Sequence, residues 1–213
     1  LRRLGSSLFV LVGVSIITFF IARVVPANPA ALYIGPKARQ EDIERVTKQL
    51  GLDKPLPVQY AVYMQELLHG DLGTSISTKR PITEELAGRI PATLELLFSG
   101  MFIAVFLGVP LGVLSARWQG KPFDWMVRII SIVGVSMPAF FLGLILQIAF
   151  FRNLDLLPLA GRVDSDLRFS NPLTEITNFI LLDSLLTSNW VTLKDAFLHL
   201  ILPAFTLAAY PIG

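Results

Sequence analysis

The 213-residue chain contains no cysteine, which excludes disulfides, thiolate metal sites and cysteine nucleophiles together and leaves the redox compartment unread. Charge is scarce as well: Asp, Glu, Lys and Arg make up 16% of the residues, where soluble domains carry about a quarter, and the net charge is only +2. Basic residues form no stripe that would fit nucleic acid. The two histidines, His69 and His199, are far apart and lack HExxH spacing, and neither a GxSxG elbow nor a GxxxxGK[ST] phosphate loop occurs. Nor do the apolar runs hold a nucleophile with its base or a carboxylate pair. The expectation is therefore no catalytic, cofactor-binding or metal-ligating residues in this chain, and no ATP hydrolysis by the chain itself.

In place of chemistry-bearing motifs the chain has apolar sequence: 53% of residues are hydrophobic and the mean hydropathy is +0.62. From Leu94 to Ala116 (LELLFSGMFIAVFLGVPLGVLSA) the only charge is Glu95, at the start. As a helix this stretch is about 35 Å long, enough to cross a hydrocarbon core of about 30 Å. Similar runs extend from Phe9 to Val25, from Trp125 to Phe151 and from Phe197 to the last residue. They make three complete spans and the beginning of a fourth, too many for a soluble chain of this length to bury. The expected fold is all-α: a polytopic transmembrane helix bundle. The expected division is 1–92, a first transmembrane helix plus an external helical segment, and 93–213, a transmembrane domain incomplete at its C-terminus. The first run exceeds the roughly 7–15 residues of a signal-peptide core and reads as an uncleaved anchor. With Leu first and an apolar run at its end, the chain is expected to be a piece of a longer polypeptide.

Short loops set orientation. Arg2 and Arg3 before the first span, Arg117 and Lys121 after the second, and Arg128 just inside the third belong on the cytoplasmic side, which makes the N-terminus cytoplasmic and the protein a multi-pass component of the cell membrane. Two long connections, Pro26 to Arg89 and Arg152 to Lys194, then lie outside. In the first, helical spacing and punctuation predict a helix opened by Gln40-Glu41-Asp42 and closed by Gly51, a second from Pro55 to Gly70, and a third from Pro81 stopped by Pro91. In the other connection, Ile176 to Trp190 is too interrupted to cross and predicts an amphipathic helix in the interface.

Helix breakers within the apolar runs are the next signal. Proline removes a backbone donor and clashes one turn back, so Pro110, Pro138 and Pro203 each predict a kink or a loosened helix. The carbonyls freed in lipid need partners from other helices or water, which favours a bundle around a cavity. Small residues at Gly108, Gly112 and Ser115, and at Gly134, Ser136 and Gly143, would let backbones approach closely. Candidate kink or substrate-pathway residues are Pro110, Gly112, Ser136, Pro138, Gln147 and Pro203. Arg128 is expected to snorkel to headgroups beside Trp125, and Glu95 and Asp124, flanking spans, to be solvated.

Residues Leu50 to Leu96 (LGLDKPLPVQYAVYMQELLHGDLGTSISTKRPITEELAGRIPATLEL) resemble the external segment and second-span entry of oligopeptide and dipeptide type permeases, inner-membrane subunits of bacterial ABC importers. MPAFFLGLILQIAFF (Met137 to Phe151), LLPLAGR (Leu156 to Arg162), LLDSLL (Leu181 to Leu186) and HLILPAFTLA (His199 to Ala208) resemble further blocks of that family in the same order. The resemblance implies a type I ABC importer transmembrane fold, truncated here after the fourth span, in an inner-membrane subunit that works by alternating access. It implies a second homologous permease, two ATP-binding subunits that hold the ATP and Mg, an extracytoplasmic solute-binding protein and the lipid bilayer as partners, with no nucleic acid. The cargo implied is a di- or oligopeptide, with nickel chelates, glutathione or oligosaccharides carried by other members. The family's Glu-Ala-Ala type coupling loop and two further spans would follow the fourth span. The alternative reading is a structural membrane scaffold that carries no solute.

Overall fold

Long stretches without charge or turn residues have one low-energy form in lipid, the helix, because it pairs every backbone group internally. The computed structural model describes residues 2–25, 28–35 and 38–212, and among them all regular structure is helical apart from one isolated bridge between Thr74 and Pro81. Pro26 and Ala27, expected to open the first outer connection, and Gly213, expected to close the fourth run, lie outside the described residues. The chain divides into two units, Leu1–Glu85 and Leu86–Gly213.

In the first unit, α1 (Arg2–Arg23) leaves a row of apolar side chains uncovered, with Phe9 81% exposed and Leu8, Leu11 and Ile17 above 60%. A surface like this suits lipid rather than water. Short helices follow: α2 (Pro29–Ile34), capped by Asn28, whose Oδ1 accepts the Ala31 N–H at 3.0 Å; α3 (Gln40–Gln49); and α4 (Leu56–Leu68). The last two fall where the punctuation placed them, with Gly51 at φ +61° after α3 and Pro55 preceding α4. Helix α4 lies against α1, where Phe19 meets Tyr60 edge-on at a centroid distance of 5.4 Å.

The third expected external helix does not exist separately. Helix α5 (Ile82–Arg117) starts after Pro81 and continues unbroken for 36 residues through Pro91 and Pro110. Pro91 is tolerated because the carbonyl it deprives of a donor one turn back, Ala87 O, is met by Asn178 Nδ2 at 3.5 Å. The expected boundary at 92/93 thus falls inside α5.

In the second unit, α6 (Pro122–Ser136) and α7 (Ala139–Gln147), the latter extended by a π-helical turn at Ile148–Asn153, were expected as one kinked span. Their axes are bent by 111° at Met137–Pro138. Pro138 forces extended backbone on Met137 (ψ 135°), as a proline does to its predecessor. Tyr210 Oη donates to Met137 O at 3.3 Å, supplying a partner at the break. The interfacial helix expected over Ile176–Trp190 is replaced by α9 (Ile180–Leu186), after α8 (Ser165–Ser170), while Trp190 opens α10 (Trp190–Ile212). Pro203 sits inside α10 without breaking it.

Helix α10 packs on α5, α6 and α7 through glycines. A Cβ on Gly143 would lie 3.6 Å from Thr206 Cγ2, one on Gly134 3.7 Å from Ala209 O, and one on Gly100 only 3.1 Å from Leu207 Cδ2 and 3.4 Å from Ala204 O. Gly134 and Gly143 therefore do admit a neighbouring helix, whereas a Cβ on Gly112 would meet nothing within 4 Å. Gly100→Ala is expected to cost about 1 kcal/mol of stability by overpacking, and Gly112→Ala to be neutral or slightly stabilising through helix propensity, read as denaturation midpoints of the detergent-purified full polypeptide. Among the described residues, three helices (α1, α5 and α10) are long and apolar enough to cross a membrane, and the bent α6–α7 pair makes a fourth if it counts as one span. The fold is an all-α polytopic membrane fold.

Candidate functional site

Ionised groups among apolar helices are costly unless paired, so the places where this chain keeps them are informative. One is the turn between α5 and α6. Asp124, in the first turn of α6, is 3% exposed and not solvated as expected. Its carboxylate accepts from Ser115 Oγ on α5, from the Gly120 N–H at 2.9 Å and from Arg128 Nε at 2.9 Å. Gly120 reaches it by adopting φ +76°, which a residue with a Cβ resists. Arg128, its side chain more than half exposed, bonds back to Asp124 one turn earlier. This cluster borders a cavity of about 580 Å³ lined by Gly108, Gly112, Ser115, Asp124, Arg128 and Ser131. Asp124→Asn is expected to cost about 1–3 kcal/mol, because the new amide places a donor among donors, and to raise protease cleavage in the Arg117–Lys121 turn.

Some 22 residues earlier on α5, about 33 Å along its axis, the second polar cluster ties helices to the connection that follows the bent pair. Glu95 is 8% exposed, against the expectation of a solvated flank. Its Oε2 accepts from Arg162 Nη2 at 2.8 Å and its Oε1 from the Leu181 N–H at 2.7 Å. The same Arg162 nitrogen donates to Asn178 O at 3.0 Å. Asp183, fully buried, sits beneath a loop whose backbone wraps it: the N–H groups of Ile176, Thr177 and Asn178 and the Thr177 hydroxyl all donate to it at 2.6–3.2 Å. Asn178 holds that loop in shape at φ +65°. Burial pushes the Asp183 carboxyl up, but the Thr177 and backbone donors outweigh it and hold it below the usual carboxylate range. Alongside, Asp195 Oδ2 accepts the Asp164 N–H at 2.8 Å and lies 3.4 Å from His199 Nδ1. His199 is a packed group bonded to its own helix, its Nδ1 being 2.9 Å from Asp195 O.

The residues singled out for the pathway are dispersed. Gly112 lines the cavity beside Asp124; Ser136 and Pro138 flank the 111° bend; Gln147 closes α7 and donates to Leu159 O at 3.1 Å. Pro110 and Pro203 lie within continuous helices. Sequence reasoning passed over Glu95, Arg162 and Asp183. The signal was available: a lone carboxylate at the edge of an apolar run invites the same default suspicion as one inside it. The first unit holds a cavity of about 790 Å³, walled by Arg23, Lys48 and Lys54 on one side of the charge balance and Glu66, Asp71 and Glu85 on the other.

Helices with uncovered apolar faces, a broken helix packed on α10 and, among the described residues, buried carboxylates gathered at the α5–α6 turn and around Glu95 and Asp183 define a polytopic helical membrane component. Residues 1–97 match the family described as binding-protein-dependent transport system membrane component, N-terminal part, and residues 108–213 match binding-protein-dependent transport system inner membrane component. The chain belongs to this family of binding-protein-dependent transport system inner membrane components. It is 46% identical over 212 residues to the probable D,D-dipeptide transport system permease protein DdpB of Escherichia coli K12, covering all of this chain and 62% of that protein. It is 37% identical over 213 residues to the dipeptide transport system permease protein DppB of Alkalihalophilus pseudofirmus OF4, covering all of this chain and 63% of that one. Against the glutathione transport system permease protein GsiC of Salmonella paratyphi A it is 38% identical over 161 residues, 76% of this chain and 53% of that protein. The chain therefore spans a little over three fifths of the length of the first two relatives.

Proposed function

We propose that the chain forms part of one of two homologous permeases that enclose the solute pathway of an ATP-driven importer, and that its cargo is a dipeptide or short oligopeptide. The observation carrying this reading is the similarity, over the whole of this chain, to permeases named for dipeptide transport. ATP and Mg are bound and hydrolysed by two separate ATP-binding subunits, and an extracytoplasmic binding protein delivers the cargo. The N-terminus is cytoplasmic, and the connections after α1 and after the bent pair face outward, following the basic residues of the short loops.

The geometry suits alternating access. A transporter must hold two packings, each favoured by a different bound species, here nucleotide and loaded binding protein. Helix α10 approaches α5, α6 and α7 closely at Gly100, Gly134 and Gly143, and the break at Met137–Pro138 divides α6 from α7 into two helical pieces. The Asp124 cluster holds the C-terminal end of α5 and the Glu95 cluster holds it near the middle of its length, so that displacement at one is carried to the other.

The test is ATPase stimulation. The complete polypeptide, purified with its partner permease and ATP-binding subunits in nanodiscs, should hydrolyse ATP several-fold faster with dipeptide-loaded binding protein than with the empty protein. Binding proteins loaded with glutathione, a nickel chelate or an oligosaccharide serve as competing arms. Stimulation by one of those alone would reassign the cargo, and stimulation by none would contradict the transport reading.

A further inference from the structure

We propose that α4 is a membrane-embedded helix, lying beside α1 in the leaflet at the Arg23 end with one flank against lipid acyl chains, rather than an element of a water-exposed external segment. The inference requires only that α1 crosses the bilayer, not that the protein transports peptides.

Depth follows from counting along α1. Its apolar span, Gly5–Arg23, has 19 residues, about 28 Å of helix, so nearly all of it is needed to cross a core of about 30 Å. Ser15 stands eight residues before Arg23, about 12 Å inside that end, and Phe19 stands four before it, about 6 Å inside. Helix α4 touches both. Ser15 Oγ donates to Val12 O at 2.7 Å, so the 2.8 Å contact between Ser15 Oγ and Tyr60 Oη is a bond donated by the tyrosine. The rings of Tyr60 and Tyr63 lie 5.4 and 5.8 Å from that of Phe19. Were α4 wholly in water, Ser15 and Phe19 would lie at or beyond the membrane surface. Residues Arg2–Val14 alone would then have to span, and 13 residues of helix reach only about 20 Å. Two hydroxyls paired with each other at mid-span are also what a hydrocarbon setting demands of a serine and a tyrosine placed there.

The faces of α4 agree. At 100° per residue, Tyr60, Tyr63 and Leu67 form the line toward α1. One flank of that line carries Ala61, Met64 and Leu68, all apolar, with Leu68 80% exposed. The other flank carries Gln59 and Glu66, which line the 790 Å³ cavity together with Lys48 and Lys54. The uncharged flank thus adjoins α1, whose own uncovered face is apolar, and turns away from the charged cavity.

Site-directed spin labelling tests this directly, since these residues include no native cysteine. The complete polypeptide, with any cysteine outside these residues replaced, would carry Leu68→Cys or Ala61→Cys. Phe9→Cys on α1 is the lipid reference and Glu44→Cys on α3 the aqueous one, all in liposomes. The label at positions 68 and 61 should collide with oxygen in preference to a water-soluble nickel chelate, with a ratio several-fold above that at position 44 and approaching that at position 9. Ready collision with the nickel chelate at both positions would place α4 in water and overturn the proposal. Protection from both reagents would show a protein covering instead of lipid and overturn it equally.

Discussion

Asp183→Ala should cost the second unit about 3–5 kcal/mol, among the largest losses of any single substitution in this chain. The reason lies in counting donors. Three backbone N–H groups and one hydroxyl converge on a carboxylate with no exposed surface, and alanine leaves all four without a partner in a site that water does not reach. Asp183→Asn should be intermediate, keeping one acceptor oxygen while turning an amide donor toward donors. Both would be read from denaturant unfolding of the detergent-purified full polypeptide, with hydrogen exchange at Ile176–Asn178 as a local readout. The pH dependence has a definite sign. Because the folded carboxyl titrates below its unfolded value of about 3.9, its stabilisation is complete above that value and is lost as pH falls through the folded pKa. The stability gap between wild type and Asp183→Asn should therefore be flat from pH 7 to about 5 and shrink only below about 4. A gap that widens on acidification would contradict the buried-carboxylate account.

Arg162→Ala should be nearly as damaging, about 3 kcal/mol, the lower end of the range for breaking a buried ion pair, because the arginine side chain keeps 31% of its surface while Glu95 keeps 8%. The loss comes less from the attraction than from the Glu95 carboxylate left in an apolar setting with only the Leu181 N–H to satisfy it. Replacing both partners, Glu95→Leu with Arg162→Leu, should recover part of that loss, giving a coupling energy of about 1–3 kcal/mol in a double-mutant cycle. Additive single losses would mean the pair is ornamental. The pair also joins α5 to residues 178–181, so the single variant should loosen that loop in hydrogen exchange while leaving the Gly120 turn unchanged.

How much of this was readable beforehand depended on whether the signal was local. The spans followed from apolar run length, and α3 and α4 from Gly51 and Pro55, because each is decided by a few adjacent residues. Pro91 does not end its helix as expected, because a proline's effect depends on what meets the freed carbonyl, and Asn178, which meets Ala87 O, is 91 residues away in sequence. Pro138 does break its helix, in company with Met137 held extended, but the size of the bend, 111°, with Tyr210 of α10 bonded to Met137 O beside it, is encoded by no local pattern. Glu95 looked like a solvated flank for the same reason, whereas Asp124, whose partners Gly120 and Arg128 are each four residues away, was misread although its signal is local. Glu95's partners are Arg162 and Leu181, while Asp124's include Ser115 on the preceding helix. The Asp183 cradle was nearer to legible, since its donors lie five to seven residues away, yet it read as an interruption in an interfacial helix.

Uptake is the most direct measurement of the central claim. Proteoliposomes holding the complete polypeptide with its partner permease and ATP-binding subunits would be given binding protein and radiolabelled L,L- and D,D-dipeptides. ATP-dependent accumulation of a dipeptide, abolished when the ATP-binding subunits are inactive, is the predicted result. Equal dipeptide retention with and without ATP, in vesicles whose ATP-binding subunits are active, would contradict the account.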